Sequence, residues 1–319
     1  MVHVTGYTDR SGSDRYNQRL SVRRVWHVAA MLLRMGVPRN DLVVSGRGEN
    51  DNRVPTPNGV REPQNRVEVV EDTVMSAAFS PDGSRHTARV RDAATGREIA
   101  VLRKLGSRVQ SAAFSPDGSR IVTTSWDNTA RIWDAATAKE ITVLRGHDNL
   151  VLSAAFSPDG FRIVTASYDR TARIWDATTG KEIAVLRGHE GLVWSAAFSP
   201  DGSNIVTASD DKTARLWNTA TATEIAVLGG HEGGVISAVF SPDGSRIVTV
   251  SGDTAARIWD APTAKEIAVL RGHEGSVFSA VFSPDGSRIV TVSDDETTRI
   301  WDAATGKEIA VLAVGPAPR

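Results

Sequence analysis

The sequence predicts a mainly β protein: a propeller of about six blades, the first incomplete, preceded by a small truncated α+β segment. Three observations predict it. The string Phe-Ser-Pro-Asp-Gly begins at Phe79, Phe114, Phe156, Phe198, Phe240 and Phe282, in steps of 35, 42, 42, 42 and 42 residues. A Gly-His and a Trp-Asp recur with it, the signature of a propeller array. Nothing before residue 73 repeats, and charge usage changes at the same point. Residues 1–72 hold eleven Arg, no Lys and nine acids, a net of +2, whereas residues 73–319 carry 26 bases and 29 acids, a net of −3. The boundary is therefore expected near Asp72–Thr73, giving domains over 1–72 and 73–319, with no Gly/Ser- or Pro-rich linker to separate them.

Each repeat reads as four short strands. In the unit that starts at Glu182, Glu182-Ile-Ala-Val-Leu is apolar, Gly188-His189 turns the chain, and Val193–Ser199 is a strand of small residues. Pro200-Asp201-Gly202 suits a tight hairpin, with Pro fixing one φ and Gly taking a positive one. Asn204–Ser209 follows, with β-branched Ile205, Val206 and Thr207; Asp210-Asp211-Lys212 turns; Thr213–Trp217 is the last strand. These four are expected to form one blade, and blades stack around an axis to cover each other's faces.

The first unit is seven residues short when aligned on Thr87-Ala88-Arg89. The loss falls on its second strand, and Arg91 stands where the other units have Trp, so the first blade is expected to lack a strand. The last unit ends at Val311-Leu312, before a polar tail containing Pro316 and Pro318.

Composition narrows the function classes. The 319 residues are 40% hydrophobic and 24% charged, with a net charge of −1, which favours neither nucleic acid nor an acidic membrane surface. There is no cysteine, hence no disulfide, thiolate metal site or Cys nucleophile. No apolar run reaches membrane-spanning length. Met1-Val-His-Val-Thr-Gly reads as a strand and not as a basic-then-apolar export signal. The sequence calls for no cofactor and no metal: it offers no Gly-rich phosphate loop, metal-ligand cluster or unique nucleophile–base pair.

The repeats carry Arg-Ile-Trp-Asp at Arg131–Asp134, Arg173–Asp176, Arg257–Asp260 and Arg299–Asp302, with Arg215-Leu-Trp-Asn218 in the fourth unit. By these motifs, residues 73–319 resemble the WD-repeat family. A His, Ser, Asp and Trp recur at offsets 0, 20, 22 and 28: His147, Ser167, Asp169, Trp175; His189, Ser209, Asp211, Trp217; His231, Ser251, Asp253, Trp259; His273, Ser293, Asp295, Trp301. An enzyme needs one such triad, not four equivalent copies. The resemblance implies a structural chain inside each blade, in which Trp donates, Ser relays, the imidazole bridges and Asp terminates. The second unit has Leu105 at the His position and keeps Ser125, Asp127 and Trp133.

Against this regular background two position classes vary. One runs Met75, Gln110, Leu152, Trp194, Ile236, Phe278; the other, just before the tetrad Asp, runs Trp126, Tyr168, Asp210, Gly252, Asp294. In WD-repeat proteins both lie near the ring's top face. The resemblance therefore implies a protein partner docking on Trp126, Leu152, Tyr168, Trp194, Ile236 and Phe278.

The first 72 residues read as a strand at Val2–Thr5 and a helix from an N-cap at Ser13 to about Met35. Leu20, Val25, Val28, Leu32 and Met35 form its apolar stripe, and Gly36 and Pro38 stop it. Strands are expected at Asp41–Ser45 and Asn65–Val70. Gly6-Tyr7-Thr8-Asp9, Tyr16-Asn17, Leu20-Ser21, Arg23-Arg24, Gly36-Val37, Gly46-Arg47-Gly48-Glu49 and Asn65-Arg66-Val67-Glu68 make the segment similar to the C-terminal peptidoglycan-binding domain of the OmpA family. It lacks that domain's first strand and helix, and has Tyr7 where the family usually has His. The resemblance implies that Asp9 and Arg24, with Thr8 and Asn17 beside them in the motif, grip the diaminopimelate of the peptide stem: a carboxylate holds its ammonium and a guanidinium forks onto its carboxylate.

The expected function is a non-enzymatic protein-interaction scaffold of the bacterial cell envelope. A cytoplasmic WD-repeat module with a vestigial N-terminal segment is the alternative.

Overall fold

The computed structural model describes residues 109–313, Ser107, and six shorter strands before them. Three of these form one sheet: β1 (Val2–Gly6) in the centre, parallel to β2 (Leu42–Gly46) and antiparallel to β3 (Val67–Glu68). All three overlap the strands expected from the sequence. A parallel neighbour needs a crossover connection; the helix expected over 13–35 lies outside the described residues.

The repeat region forms one three-stranded and five four-stranded antiparallel sheets. Blade 1 is β4 (Ser76–Phe79), β5 (Ala88–Arg91) and β6 (Glu98–Leu102). Blade 2 is β7 (Val109–Phe114), β8 (Arg120–Ser125), β9 (Ala130–Asp134) and β10 (Glu140–Leu144). Blade 3 is β11 (Val151–Phe156), β12 (Arg162–Ser167), β13 (Ala172–Asp176) and β14 (Glu182–Leu186). Blade 4 is β15 (Val193–Phe198), β16 (Asn204–Ser209), β17 (Thr213–Asn218) and β18 (Glu224–Gly229). Blade 5 is β19 (Val235–Phe240), β20 (Arg246–Ser251), β21 (Ala256–Asp260) and β22 (Glu266–Leu270). Blade 6 is β23 (Val277–Phe282), β24 (Arg288–Ser293), β25 (Thr297–Asp302) and β26 (Glu308–Ala313). The first strand of each full blade packs beside the first strands of its neighbours, so β7, β11, β15, β19 and β23 line the inside.

The short first step accords with a missing strand: among the described residues blade 1 has three. The grouping of strands into blades differs from the sequence expectation. Glu182–Leu186, read there as the first strand of its unit, is the outer strand of the preceding sheet, hydrogen-bonded to β13. The reason is the connection. A tight turn, closed by Gly180 N–H donating to Asp176 O at 2.9 Å, folds β14 straight back on β13. The Gly-His segment then carries the chain to the inside of the next blade. Each repeat thus straddles two sheets.

The recurring Ser-Pro-Asp-Gly is a turn with a mechanism. Gly118 N–H donates to Ser115 O at 2.8 Å, Ser115 N–H to Arg120 O at 2.9 Å, and Gly118 sits at φ +70°. Pro pre-sets the first turn angle and Gly takes the left-handed one. Ser115 Oγ then donates to Asp117, holding the tip.

The core lies between blades. Val164, Ala172, Ile174 and Leu186 of blade 3 pack against Val193, Ala196, Ile205 and Trp217 of blade 4, all buried. The equivalent residues meet at each following junction. The second strand of each full blade is covered on both faces. It therefore reads as a continuous run such as Ile-Val-Thr-Ala-Ser, without alternation. The outer strands end the sheets with a register shift at Ile141, Ile183, Ile225, Ile267 and Ile309, which leaves those side chains exposed. Such bulges spoil an edge for pairing with another chain.

At the tip between the second and third strands, a non-Gly residue takes φ of 65–69° in every full blade: Asn128, Arg170, Lys212, Thr254 and Glu296. Asn tolerates this region; β-branched Thr does not. Thr254 is exposed, so its replacement disturbs no packing. Thr254→Asn is expected to raise stability by about 1 kcal/mol. The urea unfolding midpoint checks this; an unchanged or lower midpoint contradicts it.

Candidate functional site

The four full tetrads share one geometry. In blade 3, Trp175 Nε1–H donates to Thr165 Oγ1 at 2.8 Å, Thr165 Oγ1 lies 2.7 Å from His147 Nε2, and His147 Nδ1 lies 2.6 Å from Asp169 Oδ2. The same three contacts join Trp217, Thr207, His189 and Asp211 at 2.9, 2.8 and 2.7 Å. In blade 5 they join Trp259, Thr249, His231 and Asp253 at 2.9, 2.8 and 2.9 Å. In blade 6 they join Trp301, Thr291, His273 and Asp295 at 2.7, 2.8 and 2.8 Å. All four imidazoles are buried.

The relay is therefore Thr, not the Ser named from the spacing. Trp175 lies opposite Ile163 in the β12–β13 ladder. Its diagonal same-face neighbour is residue 165, within reach of a long side chain; residue 167 lies two residues further along, about 7 Å away. Ser167, Ser251 and Ser293 instead donate to the carbonyls of Asn149, Gly233 and Gly275, and accept from the backbone N–H of Asp169, Asp253 and Asp295. They shape the turn that presents the Asp. Both the Thr and the Ser recur in all five full units, so only the ladder register separates them.

Polarity fixes the proton positions. Burial pushes His189, His231 and His273 below their ordinary value, opposed by the hydrogen bonds they donate to Asp211, Asp253 and Asp295. A neutral imidazole has one donor and one acceptor, and a carboxylate only accepts. Nδ1–H therefore donates to Asp, Thr O–H donates to Nε2, and Trp N–H donates to Thr, one unbroken direction of donation. Burial raises the Asp295 carboxyl, but bonds from Thr297, the Glu274 N–H and His273 outweigh it and lower the group from 3.8 to about 2. Asp169 is likewise held well below the ordinary carboxylate range, burial being outweighed by His147 and Thr171.

Blade 2 has no His at the equivalent position. Trp133 still donates to Thr123 at 2.8 Å, while Arg131 pairs with Asp127 at 2.7 Å. In blades 3–6 the matching Arg173, Arg215, Arg257 and Arg299 pair with Glu182, Glu224, Glu266 and Glu308 of the outer strand. Each lies over the Gly of Gly-His: a Cβ at Gly188 would sit 2.6 Å from Arg215 Nη1.

The tetrads anchor the loops at one end of the blades, where the two variable position classes meet. Tyr168 N–H donates to Leu150 O and Asp210 N–H to Leu192 O, tying each tip to the loop that enters the inner strand. Trp126 is 40% exposed and its Nε1–H donates to Gln110 Oε1 at 3.2 Å. Tyr168 of blade 3 stands edge-on to Trp194 of blade 4, ring centroids 6.0 Å apart. Aromatic side chains thus occupy this end of three consecutive blades. Ile236 and Phe278 are half-buried there, and Leu152 is buried at 8% exposure. Asp9, Arg24, Asn17, Thr8 and Met75 lie outside the described residues. Among the described residues no group of three or more His, Asp or Glu is placed to hold a metal ion.

Stacked four-stranded sheets, four of the five with an internal tetrad, define a repeat β-propeller. The family described as WD domain, G-beta repeat matches residues 96–134, 138–176, 180–218, 222–260 and 264–302; the chain belongs to the WD-repeat family. The OmpA family matches residues 1–66. A Gluconacetobacter diazotrophicus outer membrane protein is 43% identical over 76 residues, which are 22% of this chain and 20% of that protein. Outer membrane protein A of Shimwellia blattae is 48% identical over 50 residues, 16% of this chain and 21% of that protein. Outer membrane protein A of Klebsiella aerogenes is 48% identical over 48 residues, 15% of this chain and 14% of that protein. The chain spans about a fifth or less of the length of these curated relatives.

Two predictions follow from the tetrads. Thr249→Val leaves a buried indole N–H and an imidazole nitrogen unpaired and is expected to cost about 2–3 kcal/mol, against about 1 kcal/mol for Ser251→Ala. Denaturant titration ranks them, and an equal or reversed ranking restores Ser as the relay. On acidification, unfolded His takes up its proton near 6.5 while the folded imidazoles of His189, His231 and His273 resist. Their contribution to stability is present above that value and is lost as pH falls towards the depressed folded values. The melting temperature is expected to drop between pH 7 and pH 5; a flat profile contradicts the neutral, buried histidines.

Proposed function

We propose that the chain is a non-enzymatic scaffold of the bacterial cell envelope, in which the propeller over residues 73–319 captures a protein and the segment over 1–72 binds peptidoglycan. The observation that carries the capture half is the aromatic run across blades 2, 3 and 4. Large rings that keep one side in solvent are the residue type that anchors protein partners. Trp126 and Trp194 vary between repeats whose remaining sequence hardly changes, so packing inside the blade does not require them. The tetrads serve this role indirectly, by fixing the loops that hold the rings. Fourfold equivalence at buried positions gives them no access to a substrate.

The envelope half rests on the likeness of residues 1–66 to the OmpA family and to outer membrane proteins. Asp9 and Arg24 are the pair proposed to hold the diaminopimelate ammonium and carboxylate.

Two experiments test the halves separately. The full chain is expected to co-sediment with purified sacculi, and Asp9→Asn or Arg24→Ala to abolish sedimentation without changing the propeller's melting temperature. Failure of the wild-type chain to sediment removes the peptidoglycan half and leaves a WD-repeat interaction module. Tyr168→Ala, Trp194→Ala and Phe278→Ala are expected to weaken partner capture with little change in melting temperature. A large loss of stability instead assigns these rings to the core.

A further inference from the structure

The inner strand of every full blade is bulged at the residue that varies. In blade 4, Val193 and Trp194 together oppose Ser209, and pairing resumes with Ser195 opposite Ala208. The same shift falls at Gln110, Leu152, Ile236 and Phe278. A bulge re-aims a side chain. Blade 2 shows where: Gln110 meets Trp126, the residue after the opposing Ser125, at 3.2 Å. Trp194 and Asp210 hold those two places in blade 4, so an indole stands beside a carboxylate. Trp194 is half-buried and Asp210 is exposed.

On the blade 5 side two glycines stand where other blades have side chains. Gly234 takes the place of Leu150, Leu192 and Ser276, and Gly252 that of Trp126, Tyr168, Asp210 and Asp294. The two are joined, Gly252 N–H donating to Gly234 O at 3.2 Å. Asp210 occupies the first space: a Cβ at Gly234 would lie 2.5 Å from Asp210 Oδ1. The second is open: among the described residues, a Cβ at Gly252 would meet Ser276 Oγ alone, at 3.9 Å. Gly252 also neighbours Ile236 of its own blade, as Trp126 neighbours Gln110, and Phe278 of the next blade, as Tyr168 neighbours Trp194. The result is a notch with a glycine floor, a carboxylate on one wall and apolar side chains beside it.

We propose that this notch recognises an arginine on an exposed segment of a partner protein. The inference rests on the docking face proposed above and names the chemistry that face selects. The planar guanidinium stacks on the Trp194 ring and forks onto the Asp210 carboxylate, a pairing that a compact ammonium matches less well. An apolar side chain of the same segment fills the space over Gly252, against Ile236 and Phe278. The carboxylate that attracts the arginine repels an acidic segment, so it selects among partners as well as holding one.

The probe is a phage-displayed library of short random peptides, selected on the full chain. Selected peptides are expected to carry an arginine. The tightest is resynthesised with citrulline in that place, which keeps the shape and removes the charge. The change is expected to weaken binding to the wild-type chain by about tenfold and to leave binding to Asp210→Asn little altered. Gly252→Tyr, whose Cβ the open space accepts, is expected to weaken binding by about tenfold at an unchanged melting temperature. Selected peptides without arginine, an equal citrulline loss on both chains, or full binding to Gly252→Tyr overturns the proposal. Trp194→Ala separates the two readings. Peptides that fail one of these tests yet are lost on Trp194→Ala leave the docking face standing and remove the arginine alone. Peptides indifferent to Trp194→Ala, or no selected peptide at all, remove both.

Discussion

Everything in the propeller depends on one constraint: a four-stranded sheet with two apolar faces has no cover of its own. Ile174 and Val164 on one face of blade 3, and Ile163 and Trp175 on the other, are buried only because blades 4 and 2 lie against them. At about 25 cal/mol per Å² of apolar surface, this burial is the dominant favourable term, and no blade collects it alone. That is why the second strands carry β-branched residues on both faces. The outer strands, with nothing beyond them, carry bulges and exposed Ile.

The polar chain inside each blade answers a second demand. Trp is the bulkiest side chain at the junction, and its N–H needs a partner where no water reaches. Thr supplies the acceptor, His passes the polarity to the surface, and Asp ends it among backbone N–H groups. Blade 2 shows how far this can bend. With Leu105 in place of His, the Trp–Thr bond persists and Arg131 pairs with Asp127 at 2.7 Å while still reaching the outer-strand Glu140 at 3.3 Å. Catalysis gains nothing from such a chain; rigid loops at one end of the ring gain a great deal.

Much of this was legible in the sequence because repeats expose their own rules. The period gave the blades, Pro-Asp-Gly the turns, and the 35-residue step the three-stranded blade. What periodicity cannot give is phase. Glu182–Leu186 looks the same whether it opens a blade or closes the one before; only the tight turn after Asp176 decides it. The Ser-for-Thr error has the same origin, since residues 165 and 167 share a face and both recur throughout. Only pairing register shows which lies diagonal to Trp175. The variable ring-face residues stood out in the sequence, but Leu152 turned out buried and the Tyr168–Trp194 contact joined two blades, a relation no single repeat contains.

The central claim is that each blade is stabilised by its neighbours and that blade 1 is the weak link. Native-state hydrogen exchange measures this strand by strand. The account predicts that amides of β12, β16 and β20 share the highest protection and open as one unit, while β8, whose blade packs against blade 1 through Leu102, exchanges at lower free energy. Protection of β8 equal to that of β16 would contradict it.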